Sequence, residues 1–463
     1  MARRSLAVRS RCLHRTLLVM LIATAGGLAA RAQPDGALGY DALEIPPLPG
    51  QTGVRLLALD DRGTLIGESS FAPATPFIWT NGRSTSLTPP INYTFPRIAG
   101  LSPSSGVSVG WGLGDLYTDA LVWPPVGEPL VLPPPDWALS AIASDVNDAG
   151  WVVGETDFPD TAVLWRDGDA TDLGTLPGGR PIAAAYALNA QGEVVGAADN
   201  GVEQRPFVWR DGIMTDVGGP PDTDAGAAQS INDLGEIAGY VGRDGFVHAF
   251  NRTVRLPDLD ASCNGITRAY GISTPGLVVG RSSRRGDCFE GHAVIWEGDG
   301  RGNFEVWDVV EDLSLRGIPS SLMLFEATDI NVAGQVIANG EDDLTGEARG
   351  VLLTPFHFTI EPPVPGRAGE RNTIRMSDLA PGEAVVLVWG FDRGASRAGT
   401  RCPGAPLQMG AVRGYLGPIM ADLTGVAVVD TIIPLAGRGQ TVRMQGLAPG
   451  RCVVSQVIET TLQ

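Results

Sequence analysis

Residues 144–155 read "SDVNDAGWVVGE". Nearly the same twelve residues return as "YALNAQGEVVGA" at 186–197 and "QSINDLGEIAGY" at 229–240. Aligned on the turn glycine, copies centre on Gly63, Gly106, Gly150, Gly192, Gly235, Gly276 and Gly334, spaced 41 to 44 residues apart with one step of 58. Seven units of this length predict a propeller or a solenoid of stacked small sheets.

Each unit spells four strands. Two apolar runs flank an Asn-x-x-Gly turn, where Asn189 bonds its own backbone and Gly192 adopts the left-handed conformation of a bulged hairpin. Two more flank Asp211-Gly212, with Asp167-Gly168 and Asn81-Gly82 in the same place, a strong two-residue hairpin signal. A triplet ending in Trp79, Trp123, Trp165, Trp209 or Trp296 marks the third strand. In the fifth copy Arg252 reads in the Trp place, and Leu353 in the seventh. The Trp is expected as an apolar plate between adjacent sheets. A second glycine (Gly67, Gly110, Gly154, Gly196, Gly239 and Gly280, with Ala338 in the seventh copy) marks a strand where backbones crowd.

The chain opens with "DALEIPPLPG" at 41–50, which resembles the fourth strand "ATDLGTLPGG" at 170–179. Its last copy ends on a third strand, "GVLLTP" at 350–355. The expected fold is all-β: a seven-bladed β-propeller over 33–356, closed by an N-terminal strand, then a small C-terminal β-sandwich over 357–463. In that second module "TIRMSDLAPGEAVVLV" (373–388) is echoed by "TVRMQGLAPGRCVVSQV" (441–457), each a strand, an Ala-Pro-Gly turn and a strand.

Before the fold comes a basic stretch with Arg3, Arg4, Arg9, Arg11 and Arg15, an apolar run at 16–30 and the small-x-small site Ala30-Arg31-Ala32. This is the layout of a secretory signal peptide (1–32) cleaved after Ala32, so the mature protein is expected outside the cytoplasm: secreted, periplasmic or at the cell surface. All 34 basic residues are Arg, against 52 acids, and removing the leader takes six Arg and no acid, leaving −24. Such a polyanion is expected to bind no nucleic acid and to make no stable membrane insertion. The lack of Lys excludes a Schiff-base or Walker-type lysine. Four mature cysteines, Cys263, Cys288, Cys402 and Cys452, suit two disulfides in an exported chain: Cys263 with Cys288 by topology, and Cys402 with Cys452 in the end module.

"INDLGEIAG", "HAF" at 248–250, "WRDGIMTDVG" and "LGTLPGG" together resemble the HAF-repeat family of extracellular bacterial proteins, over about residues 41–355. The resemblance implies a secreted, repetitive, propeller-like protein and carries no activity. The second copy is weak, and Arg252 and Ala338 depart from the pattern.

No nucleophile elbow, zinc motif or phosphate loop is present, and "DTDAG" (222–226) and "DLDASCNG" (258–265) do not complete a calcium loop. No metal and no cofactor is expected. The tight repeated turns share one face of the ring, and longer variable loops share the other, where binding is expected. Candidate binding residues there are Tyr117 and Phe158 as stacking surfaces, Arg281, Arg284 and Arg285 as an anion-receiving cluster, and His292, read as the counterpart of His248 in the preceding unit. The expected protein is a monomer that binds an extracellular glycan or protein without catalysis; the alternative is a carbohydrate-active enzyme with paired carboxylates.

Overall fold

The computed structural model describes residues 39–463 except 72, 220–224, 261, 263–264, 275, 285–286, 299–301, 312, 356–358, 378, 380–381, 383, 392–395, 398–405, 408–411, 434–437, 449–452 and 456–457. The described residues form strands and no helix, and none could therefore cross a membrane as one.

Six four-stranded antiparallel meanders follow one another, over 54–86, 94–132, 140–172, 183–216, 226–255 and 267–308. A five-stranded sheet comes next: Leu322–Ile330, Val336–Asp342 and Glu347–Pro355, then the N-terminal strand Gly39–Ile45, with Ser314–Arg316 parallel at its edge. Gly39–Ile45 runs antiparallel to Glu347–Pro355, Tyr40 opposite Pro355 and Ile45 opposite Gly350. The arrangement is that of a β-propeller.

Consecutive sheets share buried apolar cores, because every strand alternates its side chains between two neighbours. Val153 and Leu164 of the third meander meet Ala183 and Phe207 of the fourth. Ala238 and Val247 of the fifth meet Ala269 and Trp296 of the sixth. Leu352 and Ile337 of the last sheet meet Leu56 and Phe77 of the first. The Trp residues act as the expected plates: Trp79, Trp123, Trp165 and Trp296 are all buried between sheets, and Trp123 and Trp296 donate their indole N–H to the carbonyls of Thr88 and Pro257.

The register corrects one expectation. In the fifth meander the residue in the Trp place is His248, opposite Ile237 as Trp209 is opposite Val194. Arg252 opens the fourth strand, after a two-residue turn in which Phe250 and Asn251 both take positive φ, as Asp211 and Gly212 do. His292 is therefore not the counterpart of His248; it pairs with Ser282, four residues before Trp296.

The second glycines have a local cause. Opposite each, the inner strand carries a bulge, at Ala143/Asp145 and Ala185/Ala187 for example. A carbonyl of the inner strand, just before the bulge, crowds the glycine: a Cβ at Gly154 would stand 1.9 Å from the carbonyl oxygen of Ile142, and one at Gly196 2.0 Å from that of Ala184. The last sheet has two bulges, one beside Ala338 and one beside Gly340, where a Cβ would stand 1.7 Å from the carbonyl oxygen of Met323.

The turn asparagines do more than close their own hairpins. Asn189 Oδ1 accepts the amides of Gln191 and Glu193, while its Nδ2 donates to the carbonyl of Asn232 in the next meander at 3.2 Å. Asn147 donates to Asn189, Asn232 to Ser273, and Asn331 to Asp60 of the first meander. The residue after the turn Asn reaches the other way: Asp148 accepts amides of Ser104 and Ser105, Asp233 that of Ala190, and Asp61 that of Val332.

Beyond residue 358, Arg371–Ser377 pairs with Thr359–Ile360 and Ala427–Ile432, and Ala384–Gly390 pairs with Gly414–Met420 and Thr441–Ala448. Both sheets line one core with Ile374, Met376, Val385, Leu387, Val442 and Met444. The two strands of the first echo thus lie in different sheets, while Thr441–Ala448 folds back on Val453–Val454.

Asn189 is buried and spends all its hydrogen-bonding capacity on its own turn and the next meander. N189A is expected to cost about 1–3 kcal/mol, the penalty of orphaned buried amide partners. Denaturant unfolding checks this; full stability in N189A would remove the turn from the forces joining the meanders.

Candidate functional site

The twelve-residue repeat is constant in its middle and variable at its two ends. Its first residue is the bulge residue of the inner strand, and its last follows the second glycine. In the inner strands these ends lie towards the side where the loops between second and third strands stand. There the register sets Arg55 opposite Glu68, Arg97 opposite Trp111, Ile142 opposite Glu155, Ala227 opposite Tyr240, and Arg268 opposite Arg281.

These side chains contact one another from meander to meander. Glu68, buried, accepts a two-pronged bond from Arg97, with Nη2 at 2.8 Å from Oε2. Arg55 faces Glu326 of the last sheet at 3.7 Å. The Arg268 guanidinium stacks on the Tyr240 ring, 3.9 Å from its centroid. Burial and Glu326 raise the pKa of the Tyr270 hydroxyl against the pull of Arg281 and Arg268. Burial, then the charge of Glu155 and the neighbouring Tyr240, push the Tyr186 hydroxyl up to about 12. Burial also raises Glu155, helped by Asp160 and Asp157. A cavity of about 380 Å³ lies between the third and fourth meanders, lined by Ile142, Glu155, Asp157, Asp160, Ala184 and Tyr186.

The residues singled out in the sequence fall in three places. Arg281 belongs to the inner group. Arg284, three residues on and past a bulge at Ser283, turns to Asp308 (3.4 Å) and Glu311. The expected arginine cluster is therefore divided, because the bulge shifts the alternation of the strand. His292 joins Arg284, its Nδ1 3.0 Å from the buried Asp308 Oδ2. Tyr117 and Phe158 are exposed on loops of the second and third meanders. They flank the cavity, since Thr118 and Asp160 line it. Phe158 holds φ at 56°, an unfavourable conformation for an aromatic residue. Arg285, Cys263, Cys402 and Cys452 lie outside the described residues; Cys288 is on the strand Asp287–Gly298, its side chain outside the description.

His292, Asp308 and Glu311 could hold a metal by distance, their ligand atoms lying within 4.8 Å. The donor set does not fit one: the Arg284 guanidinium already bridges both carboxylates, and Asp308 Oδ1 accepts the amides of Val310 and Glu311. The group reads as an ion-pair cluster.

Sequence reasoning missed Arg55, Glu68, Arg97, Trp111, Glu155, Tyr186, Tyr240, Arg268 and Tyr270. Part of the signal was present: Glu68, Trp111, Glu155, Tyr186, Tyr240 and Tyr270 stand at the ends of the repeat, where its chemistry changes.

No family model matches this chain, and no curated protein matches it significantly. Among solved structures, it is similar to a catalytically inactive virginiamycin B lyase from Staphylococcus aureus with quinupristin, at 12% identity and a TM-score of 0.44, over 68% of this chain and 99% of that one. It is also similar to "YCF48 bound to D1 peptide", at 14% identity and a TM-score of 0.43, over 69% of this chain and 97% of that one.

The two described histidines should titrate apart. The hydrogen bond to Asp308 lifts His292 above its ordinary 6.5, whereas burial and Arg210 hold His248 below it. For His292 the folded-state value exceeds the unfolded one, so its contribution to stability is complete below pH 6.5 and is lost as pH rises through the folded value. NMR titration of the imidazole signals checks both directions. In D308N the upward shift of His292 is expected to vanish; its persistence would reassign the cause.

Proposed function

We propose that this is an exported, non-catalytic binding protein: a closed seven-bladed β-propeller of HAF-type repeats with a C-terminal β-sandwich. Its ligand, an extracellular glycan or protein, is held on the face where the variable loops and the variable ends of the repeats meet. The seven-bladed reading is supported by the pairing of Gly39–Ile45 with Glu347–Pro355. Bonds from Asn331 to Asp60, and from Val332 to Asp61, repeat those between interior meanders.

The observation that carries binding is the run of linked side chains at the inner ends: Glu155, Tyr186, Tyr240, Arg268, Tyr270 and Glu326. Aromatic faces beside fixed charges suit a ligand that is both flat and polar, which favours a glycan. These residues vary in chemistry from copy to copy, whereas the turn glycine is in every copy and the turn position keeps Asn, Asp or Ser, as expected of a site placed on a scaffold. The export reading is supported by the leader-like first 32 residues.

A second reading rests on the cavity beside Glu155. A carboxyl raised by burial, with Asp160 and Asp157 beside it, is the pairing of protonated acid and carboxylate that glycoside hydrolysis uses.

A glycan array with parallel detection of released sugar, run on residues 33–463, separates the two. The expected result is saturable binding with glycans intact, weakened about tenfold in Y186A or Y240A, the loss of roughly one stacking platform. Sugar release abolished by E155Q would establish the enzyme instead. Binding unaffected by either tyrosine variant would place the site elsewhere.

A further inference from the structure

We propose, resting on the binding reading above, that the Arg268–Arg281 pair seats an oxyanion carried by a saccharide, so that the ligand is an acidic glycan. The two arginines are direct cross-strand partners of the sixth meander, an arrangement in which like charges repel. Other arginines of the inner group have carboxylates: Arg97 has Glu68, and Arg55 has Glu326. Among the described residues neither Arg268 nor Arg281 forms an ion pair, in a chain with 52 acids against 34 arginines. Two arginines on one face of the sheet, neither in an ion pair among the described residues of so acidic a chain, are an unmet demand for an anion.

Their surroundings orient them instead of neutralising them. Arg268 lies over the Tyr240 ring, and Arg281 lies beside Tyr270, whose pKa it pulls down. Arg281 Nε is buried and has no acceptor. Behind it the backbone of Gly291 closes the space, since a Cβ there would stand 2.5 Å from Nε. A planar donor fork fixed in place matches the two oxygens of a carboxylate or of a sulfate ester. The tyrosines beside it give a sugar ring an apolar face to rest on. The saccharide therefore supplies both the stacking surface and the charge. Because the mature chain is itself a polyanion, a short oligomer with one charge per unit suits the site better than a densely charged polymer.

The test is calorimetric titration of residues 33–463 with oligogalacturonate, with its methyl ester, and with a sulfated galactan oligomer. The expected result is binding of the acid form, of the sulfated oligomer or of both, with the neutral ester at least about tenfold weaker, as for loss of a charge-assisted bond. R268Q and R281Q should each weaken the acidic ligand about tenfold, whereas R284Q, whose charge is spent on Asp308 and Glu311, should not. Since either substitution relieves a like-charge contact, melting temperature should hold or rise; a marked fall in both variants would make the pair structural and overturn the proposal. Equal binding of acid and ester, or binding of neutral glycans alone, would also overturn it. In those cases a continued dependence on Tyr186 and Tyr240 would leave the wider binding reading standing. No binding by any of the three probes overturns the acidic-glycan assignment, and the broader glycan array then decides the binding reading on its own.

Discussion

The hydrogen bond from a turn asparagine to the turn carbonyl of the next meander, made by Asn147, Asn189, Asn232 and Asn331, is the constraint that fixes how those sheets join. A four-stranded sheet of this size buries too little by itself and needs a neighbour on each face. Apolar packing supplies the attraction, but it is non-directional and would tolerate sliding. Asn147, Asn189, Asn232 and Asn331 remove that freedom, because a buried amide group must meet its partners or forfeit them. Each spends its oxygen on its own turn and its nitrogen on the neighbour. Local hairpin geometry and the spacing between sheets are thereby fixed by one side chain.

That double duty explains what was legible in the sequence. Asn-x-x-Gly, with Asp60, Ser102 or Ser273 in the Asn place of three copies, is a turn signal by itself, and its recurrence announced a succession of small antiparallel sheets. Trp79, Trp123, Trp165 and Trp296 likewise announced cores between sheets, since a large flat side chain in a short apolar strand has few other places to go. The fifth copy misled because its turn is Phe250-Asn251, without the glycine that marks the others, and this moved the apparent Trp place from His248 to Arg252. The last sheet misled similarly: a second bulge near Leu324 crowds Gly340. The first is a glycine-free turn of ordinary length and the second a bulge, which leaves little trace in hydrophobic pattern.

The site was less legible for a different reason. Repetition draws attention to what is constant, and the constant residues are the scaffold. Ser144, Tyr186 and Tyr270 begin their copies, while Glu155, Tyr240 and Arg281 end theirs, so in a linear alignment they look like frayed edges of a motif. Only the inner-strand bulge and the close approach of neighbouring sheets bring those edges together. The loops expected to hold the candidate site place Tyr117 and Phe158 beside the cavity. The arginine run of the sixth copy, read as one cluster, supplies Arg281 to the inner group and Arg284 to a self-satisfied ion-pair network.

Deeper along the inner strands the chemistry serves cohesion at a cost. Asp145 and Asp329 stand at the same bulge position in the third and last sheets. Asp145 accepts the amide of Leu188, and Asp329 that of Leu59, each in the following sheet. Burial pushes both carboxyls up to about 7, against the lowering effect of those bonds. Between the ordinary carboxylate range and that value the folded state keeps protons that the unfolded chain has released, so these groups make the fold less stable as pH rises. Alanine occupies the place at Ala58 and Ala187 without such a penalty. The aspartates are retained where they lock one sheet to the next, which is specificity of assembly obtained at the expense of stability. The unneutralised Arg268–Arg281 pair follows the same logic at the opposite end of the inner strand. A fold held this firmly by its repeated turns can tolerate two like charges side by side on one strand pair.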